Sequence, residues 1–159
     1  HNRVVIVYRD AGNSNYGTAI VGTVSGTSIT FWTPVPFANA ATYHTAATFD
    51  STNGKVVIAY ADSGNSNYGT AIVGEVANTG NTISFNGSET VFASTSTNAG
   101  RAIVYDSTNN KIVIAYQDGW ASDHGKAVVG TVNGDNISFP GSPVTFNSNG
   151  KRSGSGKYL

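Results

Sequence analysis

Val4–Gly22 reads VVIVYRDAGNSNYGTAIVG, and Val56–Gly74 reads VVIAYADSGNSNYGTAIVG; sixteen of the nineteen positions are identical. Ile112–Gly130, IVIAYQDGWASDHGKAVVG, keeps ten of nineteen relative to the second stretch. The starts at Val4, Val56 and Ile112 lie 52 and 56 residues apart, so one supersecondary unit occurs three times and the extra residues fall in loops.

The second unit shows the plan. Thr45–Phe49 is followed by a turn at 50–55, then Val56–Tyr60, a loop at 61–69, Thr70–Val76, a Gly/Asn turn at 77–81, and Thr82–Phe85, with Thr90–Phe92 continuing or bending the last strand. Asn53-Gly54 between two β-rich runs is a hairpin signal, because both residues tolerate positive φ. Asn133-Gly134 and Ser25-Gly26 do similar work. Asp50 and Asp106 open identical DSTN turns and read as structural. Successive hairpins make a four-stranded antiparallel meander, and the chain is all-β.

The central strands do not alternate. Val-Val-Ile-Ala-Tyr is apolar throughout, which calls for burial on both faces. Sheets stacked face to face around an axis provide that, so the units are expected to be β-propeller blades. The whole of 1–159 is read as one repeat domain with cores at 4–31, 45–92 and 102–146. Phe37 to Phe49 is 12 residues, Phe92 to Tyr105 is 13, and Phe146 to Tyr158 is 12, so 156–159 takes the place of a first strand and completes the blade that begins at Val4. Three blades are too few to ring an axis. Two chains forming a six-bladed ring, a homodimer, solve this; a piece of a longer array is a second remedy, and a closed three-fold monomer, a β-prism or β-trefoil, is the alternative.

Charged residues are 11% of the chain and formal net charge is zero, with Lys and Arg scattered, so nothing attracts a phosphate backbone and no nucleic-acid partner is expected. The apolar runs, such as Val4–Tyr8 and Ala71–Gly74, are too short to span a bilayer as a helix, and no membrane partner is expected. Cys is absent, which removes disulfides and thiolate metal sites. The chain opens with His1 and is read as a mature or excised segment. Richness in Gly, Asn, Ser and Thr fits short strands with many turns, and an extracellular, virion-surface or cell-surface location is expected.

The loops Tyr8–Gly17 and Tyr60–Gly69 carry Asp10-Ala-Gly12 and Asp62-Ser-Gly64, then Ser14 or Ser66, and close on Tyr16 or Tyr68. This pattern resembles the Asp-box turn of sialidase-like β-propellers, with one residue inserted before the aromatic. The third loop, Asp118-Gly119-Trp120, departs from the Asp-x-Gly spacing. The resemblance implies a propeller fold and a structural turn lying away from an active site. The composition also resembles the β-repeats of bacterial and phage surface proteins. Independently, an Asp at the start of a turn accepts backbone N–H groups two or three residues on.

Each loop has a functional reading beside the structural one. Asp10, Asn13 and Asn15, or Asp62, Asn65 and Asn67, offer oxygens to calcium, but one carboxylate per loop is thin for a cation that takes about six to eight. No cofactor is expected. The third loop replaces the Gly/Asn/Tyr pattern with Asp118, Trp120, Asp123 and His124; aromatic faces beside polar groups suit sugar rings, and drift in a tolerant loop is the bland counterpart. Trp32, Tyr43 and His44 form a similar set in the long connection, where Trp32 is expected to pack between blades and Pro34 and Pro36 to block ladder pairing. The expected ligand-binding residues are therefore Tyr16, Tyr68, Trp120, Asp123, His124, Trp32, His44 and Arg9.

Catalysis is not expected. Glycoside hydrolysis needs two facing carboxylates, and the chain has two Glu, Glu75 and Glu89, with Asp residues mostly in repeat-equivalent turns. Arg3, Arg9, Arg101 and Arg152 occupy non-equivalent positions, unlike the arginine cluster of sialidase chemistry. Neither a nucleophile elbow nor a His pair at metal-ligand spacing is present. The expected function is a non-catalytic, lectin-like recognition module for glycans. A purely structural surface or fibre repeat is the alternative, and a glycosidase-like propeller fragment a minor one.

Overall fold

Runs of Val, Ile, Thr and Tyr fit a pleated, half-buried backbone, and Gly or Asn punctuates them at short intervals. The computed structural model describes residues 2–77, 81–97, 101–121 and 123–149. Its elements are strands β1 (Arg3–Asp10), β2 (Tyr16–Ser25), β3 (Ser28–Phe31), β4 (Val35–Asp50), β5 (Lys55–Asp62), β6 (Tyr68–Val76), β7 (Ile83–Ser84), β8 (Thr90–Ser96), β9 (Ala102–Asp106), β10 (Lys111–Asp118), β11 (His124–Asn133), β12 (Asn136–Ser138) and β13 (Val144–Asn147), plus one 3-10 turn at Ser63–Asn65. The strand expected at 156–159 lies outside the described residues.

The strands form two antiparallel sheets. One runs β1-β2-β4-β5-β6-β7, with β3 also on β2 and β8 also on β6; the other runs β12-β11-β10-β9, with β13 also on β11. Neither sheet closes on itself, so a closed three-fold barrel or prism does not describe these residues. The central hairpins share one register: Val4 faces Gly22, Val56 faces Gly74, and Ile112 faces Gly130. The fourth strand is split each time. β3 and Val35–Ala41 of β4 lie on β2, β7 and β8 on β6, and β12 and β13 on β11. Between the two pieces stand Pro34, Gly87, or Pro140 and Gly141, residues that interrupt a ladder.

Strand β4 is longer than its sequence suggested. Pairing resumes at Val35, and Pro36 sits opposite Thr18, correcting the expectation that it blocks the ladder. Among the described strands this part of β4 pairs on one side only, so a missing N–H is tolerated there. From Thr42 onward β4 turns to pair with β5, with a register shift between Tyr43 and Ala46 within that pairing.

Two cores fill the junctions between units. In the first, Ala19 and Val21 of β2 meet Val56, Ile58 and Tyr60 of β5, with Phe37 and Ile83. In the second, Val57 and Ala59 of β5 meet Ile112, Ile114 and Tyr116 of β10, with Phe92 and Ile137. Alternate residues of β5 therefore face opposite neighbours, which explains its unbroken apolar run and its burial from Val56 to Asp62. One aromatic pair recurs: Phe37 packs on Tyr60 with ring centroids 5.1 Å apart, and Phe92 on Tyr116 at 5.3 Å.

Each hairpin has a loop end, at 11–15, 63–67 and, among the described residues, 119–121 with 123, and an opposite turn end. At the turn end Asp50 Oδ1 accepts N–H groups from Thr52 and Asn53, both at 3.0 Å, and Asp106 does the same for Thr108 and Asn109. In the Asn53-Gly54 pair only Gly54 takes positive φ (+66°), because Asp50 anchors a four-residue turn rather than a two-residue one. Gly26 and Gly134, both at φ +59°, open the two-residue turns.

Candidate functional site

The loop ends gather most of the chemically distinctive side chains. Asp10 Oδ1 accepts the Gly12 N–H at 3.0 Å and Asp62 Oδ1 that of Gly64 at 2.8 Å. Asp118 Oδ1 accepts from Trp120 N at 3.1 Å and Ala121 N at 3.3 Å, so the altered third loop keeps the same anchor. Ser14, Asn15, Ser66, Asn67 and Asp123 all take left-handed backbone angles, bending the chain back into the returning strand.

These loops also clasp the neighbouring unit. The Asn15 carbonyl accepts from Thr42 N at 3.2 Å, the Asn67 carbonyl from Thr97 N at 3.0 Å, and Ser96 accepts from Gly119 N at 2.9 Å. A Cβ on Gly64 would lie 2.9 Å from the Ala40 methyl, so glycine is the residue that lets the second loop seat against the first unit.

Tyr16 lines a groove of about 410 Å³ at the first junction, together with Asn13, Asn39, Phe37, Phe85 and Glu89. Behind its wall lies Tyr60, whose hydroxyl burial, and then the Glu89 carboxylate, hold firmly protonated. At the second junction Tyr68 meets Trp120 edge to face, centroids 5.9 Å apart. Trp120 is the most exposed aromatic on this end at 65%. Asp123 and His124 close the same loop, Asp123 exposed and His124 half-buried. Arg9 lies over the Tyr43 ring at 4.6 Å, next to His44.

His44 takes φ +52° at the β4 bulge, and Arg101 fixes it there: Nη1 donates to the Tyr43 carbonyl at 3.2 Å and to the His44 carbonyl at 3.0 Å. Arg101 also donates to Thr97, through both its carbonyl and hydroxyl. Burial lowers the guanidinium pKa to about 10. Sequence reasoning set Arg101 aside as a scattered cation. No positional signal marks it, since Thr45 occupies the equivalent place in the preceding unit.

Trp32 does not join this group. It is half-exposed on its own sheet, its Nε1 donating to Thr23 Oγ1 at 3.3 Å, and does not pack between units. The strand Val35–Ala41 separates it from Tyr43 and His44, so the expected Trp32–Tyr43–His44 cluster is not formed.

No family model, curated protein or solved structure matches the chain.

Among the described residues, no three His, Asp or Glu side chains cluster as a metal site. Asp10 and Asp62 spend an oxygen on their own turns, and the Asn13 carbonyl accepts the Tyr16 N–H at 2.9 Å. A calcium ion would have to compete with these bonds. A second cavity of about 420 Å³ opens at the turn end of the first junction, lined by Arg3, Val5, Ala47, Phe49, Val56 and Val76 among others. At the second junction the larger Ile103 and Ile112 replace Ala47 and Val56.

Proposed function

We propose that the chain is a non-catalytic, lectin-like recognition module of the cell or virion surface that binds carbohydrate where adjacent units meet. The observation that carries this reading is the first-junction groove. It combines the aromatic rings of Tyr16, Phe37 and Phe85 with the polar groups of Asn13, Asn39 and Glu89. Its volume of about 410 Å³ lies in the range of about 300–1,000 Å³ for small-molecule sites. Aromatic faces accept the C–H face of a pyranose, while amides and a carboxylate take its hydroxyls. The Tyr68–Trp120 pair offers a comparable platform one unit along. Weak sites presented in series gain strength through multivalency.

The units are read as propeller blades, supported by the shared hairpin register, the face-to-face cores and the Asp-anchored loops. Binding without turnover fits the carboxylates: Glu75 is ion-paired to Lys55 at 2.7 Å, which leaves Glu89 as the acid lining the groove. Hydrolysis calls for two acids flanking the scissile bond.

Titration with a panel of mono- and oligosaccharides, followed by tryptophan fluorescence and NMR, tests the reading. Millimolar or tighter binding is expected, with Tyr16→Ala and Trp120→Ala each weakening it about tenfold and leaving the melting temperature in place. Absence of binding to every sugar at millimolar concentration sinks the proposal. A second reading, a structural surface repeat without a ligand, is favoured by the self-contained Asp turns. It predicts silence in the same titration.

A further inference from the structure

We propose that the two outward faces of the chain bind each other in a second copy, so that two chains close one ring of six units. The inference rests on the blade reading of the units and is independent of the ligand reading.

Inside the chain each unit presents one sheet face forward and another backward. The forward face of the first unit, with Ala19 and Val21, meets the backward face of the second, with Ile58 and Ile83. The forward face of the second, with Ala71 and Val73, meets the backward face of the third, with Ile114 and Ile137. Among the described residues two faces remain: the backward face of the first unit and the forward face of the third. Each is equivalent, position by position, to a face that is a core elsewhere in the same chain.

Six of the eleven exposed large apolar side chains fall on these two faces. Ile6 and Ile29 are 42% and 48% exposed, whereas Ile58 and Ile83 are at 0% and 2%, and Ile114 and Ile137 at 0% and 3%. On the other side Val129 and Phe146 are 48% and 56% exposed, whereas Val73 and Phe92 are at 1% and 6%. Phe31 and Val144, 47% and 69% exposed, extend the two patches. An uncovered apolar patch of this kind marks an interaction site.

The occupant is a second copy because the template for the contact is already built twice. Phe37 packs on Tyr60 and Phe85, and Phe92 on Tyr116 and Phe139, at centroid distances of 5.1 to 5.9 Å. Phe146 is the third of that series, and Tyr8 and Phe31 are its matching receivers, at the far end of the chain. Polar staples follow the same rule. Arg3 donates to the Ala77 carbonyl of the next unit at 2.7 Å, and Lys55 reaches Asp135 of the next unit at 2.7 Å. Lys111 is the third of that set, and its next unit lies in the second chain.

A head-to-tail contact either closes or propagates. Propellers close with about four to eight blades, and six is the multiple of three within that window, so closure takes two chains and uses two identical junctions.

Light scattering and sedimentation equilibrium on the full chain at micromolar concentration test this. A particle of twice the 16.4 kDa chain mass is expected. Ile29→Glu on one face and Phe146→Glu on the other should each weaken self-association about thirtyfold or more. Both side chains are exposed in the single chain, so each variant should retain the wild-type circular dichroism. Mixing the two variants should restore a dimer, because one of its two junctions then pairs unaltered faces. A wild-type chain that stays monomeric, or that grows into open filaments, overturns the proposal, as does failure of the mixture to associate. Sugar titration on the same sample separates the two ideas: a dimer without sugar binding overturns only the ligand reading.

Discussion

The Lys126 ammonium lies 2.5 Å from the Asp118 carboxylate, and that carboxylate is almost wholly out of water. Burial alone would raise the Asp118 pKa. The Lys126 hydrogen bond, with the Trp120 N–H, outweighs burial and holds it below its ordinary value of 3.8. A depressed carboxylate stabilises the fold above its unfolded pKa, and that contribution is lost as pH falls through the folded value. Asp118→Asn should cost about 3 kcal/mol at neutral pH, since it leaves a partly buried ammonium unpaired. The gap to wild type should narrow steadily below about pH 4. Urea unfolding at several pH values checks both, and a pH-independent gap contradicts the assignment.

At the turn end Lys55 bridges Glu75 and Asp135, each at 2.7 Å, and joins the second unit to the third. Hydrogen bonds to Asp135 and then Glu75 raise its pKa above 10.5. A raised amine contributes stability below its unfolded pKa, and loses it as pH climbs through the folded value. Lys55→Met should cost about 1 kcal/mol at pH 7 and little in strong alkali. Thermal melts across the alkaline range provide the measurement.

The cavity beside Ala47 has a remedy written into the chain itself, because Ile103 stands at the equivalent place in the next unit. Ala47→Ile should fill it and add about 0.5–1 kcal/mol of stability. Denaturant midpoints decide: a loss would mean that Phe49 or Val76 cannot yield.

Two glycines separate conformation from space. Gly54 has φ +66° and open space where a Cβ would stand, and Asn110 holds φ +53° at the equivalent turn of the next unit. Gly54→Asn should therefore be nearly neutral, while Gly54→Ala costs about 1 kcal/mol through left-handed strain. At Gly69 a Cβ would lie 2.5 Å from the Phe92 ring. Gly69→Ala should cost about 1–3 kcal/mol by overpacking the second core. Parallel denaturation of the three variants tests the order.

Strands and hairpins were legible in the sequence because they depend on local composition and period, as in Val56–Tyr60 and the DSTN turns. Burial on both faces was also legible, although among the described strands it holds along nearly the whole length only for β5; β1 has no neighbour behind it among the described residues and stays half-exposed along much of its length. What escaped depends on how units meet. Pairing of Tyr68 with Trp120 follows from loops of two units abutting, and the Arg101 staple from a bulge near His44. Trp32 misled because nearness in sequence to Tyr43 is undone by seven residues of extended chain, Val35–Ala41.

β5 is flanked by β4 and β6 within its sheet and covered above and below by the two cores. Solvent reaches its amides only when both flanking layers peel away together, so no local fraying exposes them. In heavy water the protons on Val57 to Tyr60 should outlast all others, making this strand the clock by which global unfolding is timed.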